Sequence, residues 1–376
     1  MANEVLEKLK HSMLELDKDT TLEAELHAWL EDALAPQPAP PGATSRDIVR
    51  QAIRCESPPR IPYSFVDPIR SDFFELAELE RLLDRVETGS QRSPGEIYTD
   101  SWGVRQAVVP GLFDRVLDHP LADLGKLDSY PFPDVAAPQC LARIAPLVER
   151  ANRVGKYVVA GDPVGLFERA RALLGFEMLM LAPLAQRPRL EALLDRLTQL
   201  TVEAIEGLAE LGGVDAFMTW QDFGTQTQLA VSLDTFRELY APRLARMVRA
   251  AHEAGLHFVW HCCGQIFDLI PEMIAIGVDV VQLDQPRLIG HARLAEAFGG
   301  RICFWNTVDT QWATSEDPSD ADLRAEVAAM TTPFRRFRGG FMARHYPRPH
   351  DIGLSRHFHD VTARAFLGAR AAGGNP

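Results

Sequence analysis

Leu6, Leu9, Met13 and Leu16, then Leu22, Leu26, Trp29 and Leu30, recur at spacings near 3.6, which predicts helix over residues 1–34. The proline-rich run at 35–43, APQPAPPGA, cannot continue a helix and reads as a stiff linker. Thr44-Ser45-Arg46-Asp47 then offers an N-cap to a further helix through Ile53. From about residue 58 the pattern becomes strand, loop, helix, repeated. The expected strands are Arg60–Val66, Arg105–Val109, Tyr157–Ala160, Val214–Trp220, Leu256–His261, Val278–Leu283, Arg301–Trp305 and Gly339–Ala343. Helical patterns separate several of them, at Cys140–Arg153, Leu166–Leu181, Pro188–Leu211, Leu233–Ala254, Ile266–Ile276, Ala292–Phe298 and Ala321–Thr331. Short apolar strands alternating with helices imply a parallel sheet covered on both faces. Eight of them fit an α/β fold of the closed (β/α)8 TIM-barrel type. Residues 1–44 are expected to form an N-terminal helical extension and linker, and 45–376 the barrel. An open doubly wound sheet is the competing architecture, but no Gly-x-Gly-x-x-Gly fingerprint follows any strand.

A barrel of this kind gathers its functional groups just after the strand ends. The exits read Gly161-Asp162, Gln221-Asp222-Phe223-Gly224, His261-Cys262-Cys263-Gly264, Gln282-Leu283-Asp284-Gln285, Asn306-Thr307-Val308-Asp309 and Arg344-His345-Tyr346. Polar groups with chemical capacity recur at nearly every one.

Composition narrows the class. With 376 residues and 46% hydrophobic content the chain can bury a large core. Five cysteines are an odd number without a regular framework, so a disulfide scaffold is not expected. Met1-Ala2-Asn3-Glu4 opens a charged helical pattern rather than a secretory leader, and no apolar run approaches bilayer-spanning length. A cytoplasmic, reducing setting follows, in which thiolates stay available to a metal. A net charge of −13 argues against a general nucleic-acid surface, and the basic run Arg335-Arg336-Phe337-Arg338 reads as a solvated face.

His261 and Cys263 are the leading metal ligands. Two residues apart on a strand, they share a face, and imidazole with thiolate suits zinc. Cys262 should point away. A catalytic zinc takes three protein ligands, and Glu168, Asp222, Cys303 and His345 are the candidates for the third. Asp222 and His345 are also the candidate acid–base groups. Gln226, Gln282, Asp284, Gln285 and Asn306 are plausible substrate-orienting groups, and Tyr346 could close the site. Serine-hydrolase, P-loop and His-Glu-x-x-His signatures are absent.

Between about residues 45 and 368 the chain resembles the uroporphyrinogen decarboxylase superfamily, in its cobalamin-linked methyltransferase-like branch. The resemblance rests on Tyr98-Thr99-Asp100-Ser101-Trp102-Gly103, Tyr130-Pro131-Phe132-Pro133-Asp134, Asp222-Phe223-Gly224-Thr225-Gln226 and Ala251-His252-Glu253-Ala254-Gly255-Leu256. It continues in His261-Cys262-Cys263-Gly264, Ile276-Gly277-Val278-Asp279 and Gly339-Gly340-Phe341. It implies a (β/α)8 barrel with zinc held by a His-x-Cys pair and a later cysteine. His261 and Cys263 match the pair, but the later region, Phe341-Met342-Ala343-Arg344-His345-Tyr346-Pro347, has no cysteine. The arginine-rich motif of the tetrapyrrole decarboxylases is also missing from Val66-Asp67-Pro68-Ile69-Arg70-Ser71. The implied activity is zinc-dependent methyl exchange, such as O-demethylation, between a small ether, amine or thiol and cobalamin. No Asp-x-His-x-x-Gly signature is present, so the cobalamin would sit on a separate corrinoid protein; a homodimer is also expected. The alternatives are a metal-independent lyase and a non-catalytic small-molecule-binding barrel.

Overall fold

Seven of the expected apolar runs and one further short strand pair in parallel and wrap into a ring. The computed structural model describes residues 28–66, 68–77, 93, 95–109, 114–135, 138–347 and 349–369. Its strands are β1 (Tyr63–Val66), β2 (Ile69–Ser71), β3 (Phe73–Glu75), β4 (Ile97–Thr99), β5 (Arg105–Ala107), β6 (Arg115–Asp118), β7 (Tyr157–Gly161), β8 (Ala216–Trp220), β9 (His257–His261), β10 (Val280–Gln282), β11 (Cys303–Thr307) and β12 (Phe341–Arg344). The main sheet runs β2-β1-β12-β11-β10-β9-β8-β7-β3. Every ladder from β1 round to β3 is parallel, and β2 folds back antiparallel on β1. This is the expected TIM barrel, with helices between the strands.

One expected strand is corrected. Arg105–Val109 is not a staff of the barrel: Arg105–Ala107 is the centre of a separate antiparallel sheet, β4-β5-β6, with exposed or half-buried side chains. The second staff is instead β3. Its two phenylalanines are both buried, one to each side of the sheet, so three residues offered no alternation to read. The helix expected over 166–181 is broken by Gly175, whose φ of 81° is costly for any residue with a Cβ. Helices at Thr310–Ser315 and Arg356–Gly368 were not anticipated.

Strand parity divides the core in two. Phe73, Tyr157, Val159, Ala216, Met218, Val259, Val280, Cys303, Trp305 and Met342 form one buried cluster inside the ring. The alternate residues, such as Phe65, Phe74, Phe217, Phe258 and Phe304, join the cluster shared with the surrounding helices. The helix Ser45–Ile53 plugs the floor, where Val49 and Ala52 are fully buried against the inner cluster. Thr44 caps it as expected, and its side chain and backbone hold the Asp47 carboxyl below its usual range. Arg46 and Arg50 of the same helix reach Asp215 at 2.9 and 2.7 Å, fastening the plug to the start of β8. Residues 28–34 are helical, and Leu30, Ala33 and Leu34 are buried in the outer cluster; residues 1–27 of the expected helix lie outside the described residues. No helix among the described residues is long and apolar enough to cross a membrane.

Between β1 and β3 the ring is stitched by one buried carboxylate. Asp72 accepts from both terminal nitrogens of Arg60 at 2.6 Å, from Ser45 Oγ at 2.6 Å and from the Tyr63 amide at 3.0 Å. Its own amide donates to Tyr63 O at 2.9 Å. Ser64 Oγ reaches Glu75 at 2.8 Å one step higher. Replacing Asp72 with Asn strands a largely buried guanidinium, so the variant is expected to lose about 3 kcal/mol of stability. Equilibrium denaturation of both proteins checks this; a loss under about 1 kcal/mol would mean that the seam is held elsewhere.

Candidate metal centre

The inward parity of the ring places a polar layer above the apolar one. On β9, Val259 lies in the inner cluster, so His261, two residues on, faces the mouth of the same channel. Trp220, Gln282, Arg344 and Glu75 stand in that phase on β8, β10, β12 and β3. They line a cavity of about 420 Å³ together with Asp222, Cys263, Asp284, Gln285 and Tyr346.

The loops leaving β8 and β9 run backbone against backbone. Gln221 N donates to His261 O, Phe223 N to Cys262 Sγ, Cys263 N to Asp222 Oδ1 and Gln265 N to Thr225 O. Gly224 and Gly264 make this approach feasible. A Cβ on Gly224 would lie 2.3 Å from Cys263 O, and one on Gly264 would lie 2.6 Å from the Gly224 carbonyl carbon. Gly264 also holds φ at 88°.

Asp222, His261 and Cys263 therefore converge, with one ligand atom from each lying within 4.8 Å of the others. Cys263 Sγ is 3.4 Å from His261 Nε2, and Asp222 Oδ1 is 3.5 Å from the same nitrogen. The other ring nitrogen, Nδ1, meets Gln282 Oε1, and Gln282 Nε2 donates to Asp284 Oδ1 at 2.8 Å. Burial pushes the Cys263 thiol well up, reinforced by the Asp222 and Asp284 carboxylates. Without a cation to offset them, the sulfur keeps its proton.

The remaining candidates fall in different places. Cys303 belongs to the apolar cluster inside the ring, and its thiol is pushed well up by burial. Glu168 pairs with Arg171 on its own helix; burial raises its carboxyl although Arg171 opposes the shift. His345 is one residue out of phase with Arg344, so it faces the outer helices, where Nδ1 meets His359 Nδ1 at 2.9 Å and Nε2 meets Thr362 Oγ1 at 3.1 Å. Asn306 is likewise out of phase with Trp305 and lies buried with its Oδ1 unpartnered. Gln226 sits on the exposed rim, 3.3 Å from Gln285. Cys262 points away into the outer core, as expected. Of the four candidates for a third ligand, only Asp222 is brought within reach of His261 and Cys263.

Arg344 was not anticipated in the sequence as a site residue. Its Nη2 pairs with Glu75 at 2.7 Å and its guanidinium lies 4.2 Å from the Trp305 ring. Its phase with Met342 in the apolar run is the sequence signal that places it inward.

The family model for uroporphyrinogen decarboxylase (URO-D) matches residues 109–340. Among solved structures, a methyltransferase from Methanosarcina mazei superposes with a TM-score of 0.60 at 16% identity, covering 86% of this chain and 98% of its own. A D-psicose 3-epimerase aligns with a TM-score of 0.36 at 9% identity, over 65% of this chain and 84% of its own. At those identities the first likeness speaks for the barrel alone and the second carries no argument. No curated protein matches the chain.

The outward-facing His345 generates a pH dependence. Burial, with His359 beside it, depresses its pKa well below the usual 6.5. The unfolded chain therefore binds a proton that the folded chain refuses. This ring's contribution is fully present above about pH 6.5 and erodes below it, by at most about 1.4 kcal/mol per pH unit. Denaturation at pH 7.5 and 5.5 is expected to show a steeper acid loss for the native chain than for His345→Gln; equal losses would refute the assignment.

Proposed function

The chain belongs to the uroporphyrinogen decarboxylase (URO-D) family, and on that footing we propose that it is a zinc-dependent methyltransferase. It exchanges a methyl group between a small ether, amine or thiol and cobalamin carried by a separate corrinoid protein. The observation that carries this reading is the spacing of three electron-pair donors at the cavity floor. Tetrahedral zinc with bonds of about 2.0–2.3 Å separates nitrogen from sulfur by roughly 3.6 Å and nitrogen from oxygen by roughly 3.4 Å. The contacts here are 3.4 and 3.5 Å. The donor set of one imidazole, one thiol and one carboxylate also suits zinc, and Asp222 takes the place that a later cysteine holds in the family pattern.

When bound, zinc supplies Lewis acidity to the substrate heteroatom that gains or loses the methyl group. The protein's own groups do the rest. The Cys263 amide holds Asp222 Oδ1 at 2.8 Å, so the carboxylate is aimed before any ligand arrives. Cys263 must shed its thiol proton to bind, which makes metal uptake steeper as pH rises. Trp220 and Tyr346 offer aromatic walls to the substrate, and Gln285 and Arg344 offer hydrogen bonds along the cavity. The mouth above them is where the corrin face of the partner would approach. The barrel is shared over nearly its whole length by a methyltransferase from Methanosarcina mazei, so the fold is one that can house methyl transfer.

The full-length chain is expected to purify with about one zinc per molecule. His261→Ala and Cys263→Ala each abolish retention after dialysis, whereas Asp222→Ala weakens it by roughly 10–100-fold. Elemental analysis reads the outcome. A native chain that holds no zinc even after reconstitution would overturn the proposal. Methyl transfer from a methylated corrinoid protein, or to one holding cob(I)alamin, is the positive test.

A further inference from the structure

Gln282 was expected to touch substrate, yet its side-chain amide is engaged at both ends inside the protein. It is 2% exposed and lies directly beside His261 across the β9–β10 ladder. Its Nε2 is 2.8 Å from Asp284 Oδ1, and its Oε1 meets His261 Nδ1. The amide nitrogen donates to Asp284 Oδ1, so the amide oxygen is the end that faces the ring. The ring can meet that oxygen only with a proton on Nδ1. Nε2 is then left as a bare lone pair directed at Cys263 Sγ and Asp222 Oδ1.

We propose that Asp284 and Gln282 form a positioning relay that locks His261 in the tautomer able to bind a metal, so that ligand readiness at the β9 exit is set from the β10 exit. A competing arrangement exists. Asp222 Oδ1, 3.5 Å from Nε2, would favour a proton on that nitrogen and so block it. The relay prevails because the Gln282 contact is the closer one and is sealed from water, whereas 3.5 Å is at the limit for a hydrogen bond. Turning the Gln282 amide over would set its oxygen against the Asp284 carboxylate and leave two buried acceptors without a proton between them. Asp284 is itself held: Thr307 Oγ1 lies 3.3 Å from its Oδ1, and its carbonyl accepts from the Thr310 amide at 2.9 Å. The relay also removes the negative charge to one side chain beyond the ring. At Nδ1 His261 therefore faces an amide oxygen, while the Asp222 carboxylate lies on its Nε2 side. The consequence for metal affinity rests on the function proposed above; the tautomer itself does not.

The experiment uses the full chain labelled with ¹⁵N-histidine and stripped of metal with a chelator. Long-range ¹⁵N–¹H correlations report which ring nitrogen carries the proton, and the His261 signals are those missing from His261→Gln. The native protein is expected to show the proton on Nδ1 and not on Nε2. Asp284→Asn, whose amide can face either end of Gln282, is expected to give a mixture of tautomers and a roughly tenfold weaker zinc affinity in competition with a chromophoric chelator. Gln282→Leu is expected to weaken zinc roughly 10–100-fold, and Gln282→Glu, made together with Asp284→Asn so that an amide nitrogen faces the new carboxylate, to recover most of it. A native ring protonated at Nε2 would overturn the inference, as would Asp284→Asn with tautomer and affinity unchanged. If Gln282→Leu does not fold, Asp284→Asn, alone and together with Gln282→Glu, decides the matter. A native Nδ1–H ring that shifts in Asp284→Asn, in a chain that never retains zinc, leaves the relay standing and removes the metal reading.

Discussion

Closing parallel strands into a ring leaves each strand one binary choice, namely which of its two alternating sets of side chains faces the channel. Everything else in this protein depends on that choice. Val259 inward commits His261 to the mouth, Val280 inward commits Gln282, and Met342 inward commits Arg344. The same parity turns His345 and Asn306 outward, where one enters a histidine–threonine cluster under the helix Arg356–Gly368 and the other is simply buried. A slip of one residue on any strand would exchange its inward and outward sets. The site is therefore a by-product of how the apolar layer beneath it packs.

Parity aims the side chains, but it does not bring Asp222 to His261. That follows from the pairing of two loops whose backbones touch, which two glycines without side chains allow. Four hydrogen bonds between successive residues extend the β8–β9 pairing past the strand ends and fix the carboxylate on the amide of the cysteine it serves. The result is a preorganised group of donors in a cavity. Burial in that cavity keeps the Cys263 thiol pushed well up.

A division of labour among the strand exits follows. β8 and β9 contribute the candidate ligands, β10 contributes the groups that orient the imidazole, and β12 with β3 contributes the Arg344–Glu75 pair on another wall. The three donors and the Arg344–Glu75 pair therefore stand on different walls of one mouth.

The sequence by itself determined the barrel, most of its strands, the Thr44 cap and the His261–Cys263 pair. Each is written in local periodicity, in capping chemistry or in a two-residue spacing that a strand converts directly into geometry. The second staff was not legible, because Phe73–Glu75 is too short to show a period, and Arg105–Ala107 mimicked a staff while belonging to a side sheet. The tertiary structure alone decided which carboxylate joins the pair. Asp222, Glu168 and His345 stand on equal terms as side chains able to ligate zinc, and they separate only once strand phase and loop contact distribute them in space. It also decided the role of Gln282, since whether an amide meets a substrate or an imidazole depends on which strand lies beside it. Neighbours across a sheet are set by long-range pairing, and no local pattern along the chain encodes them.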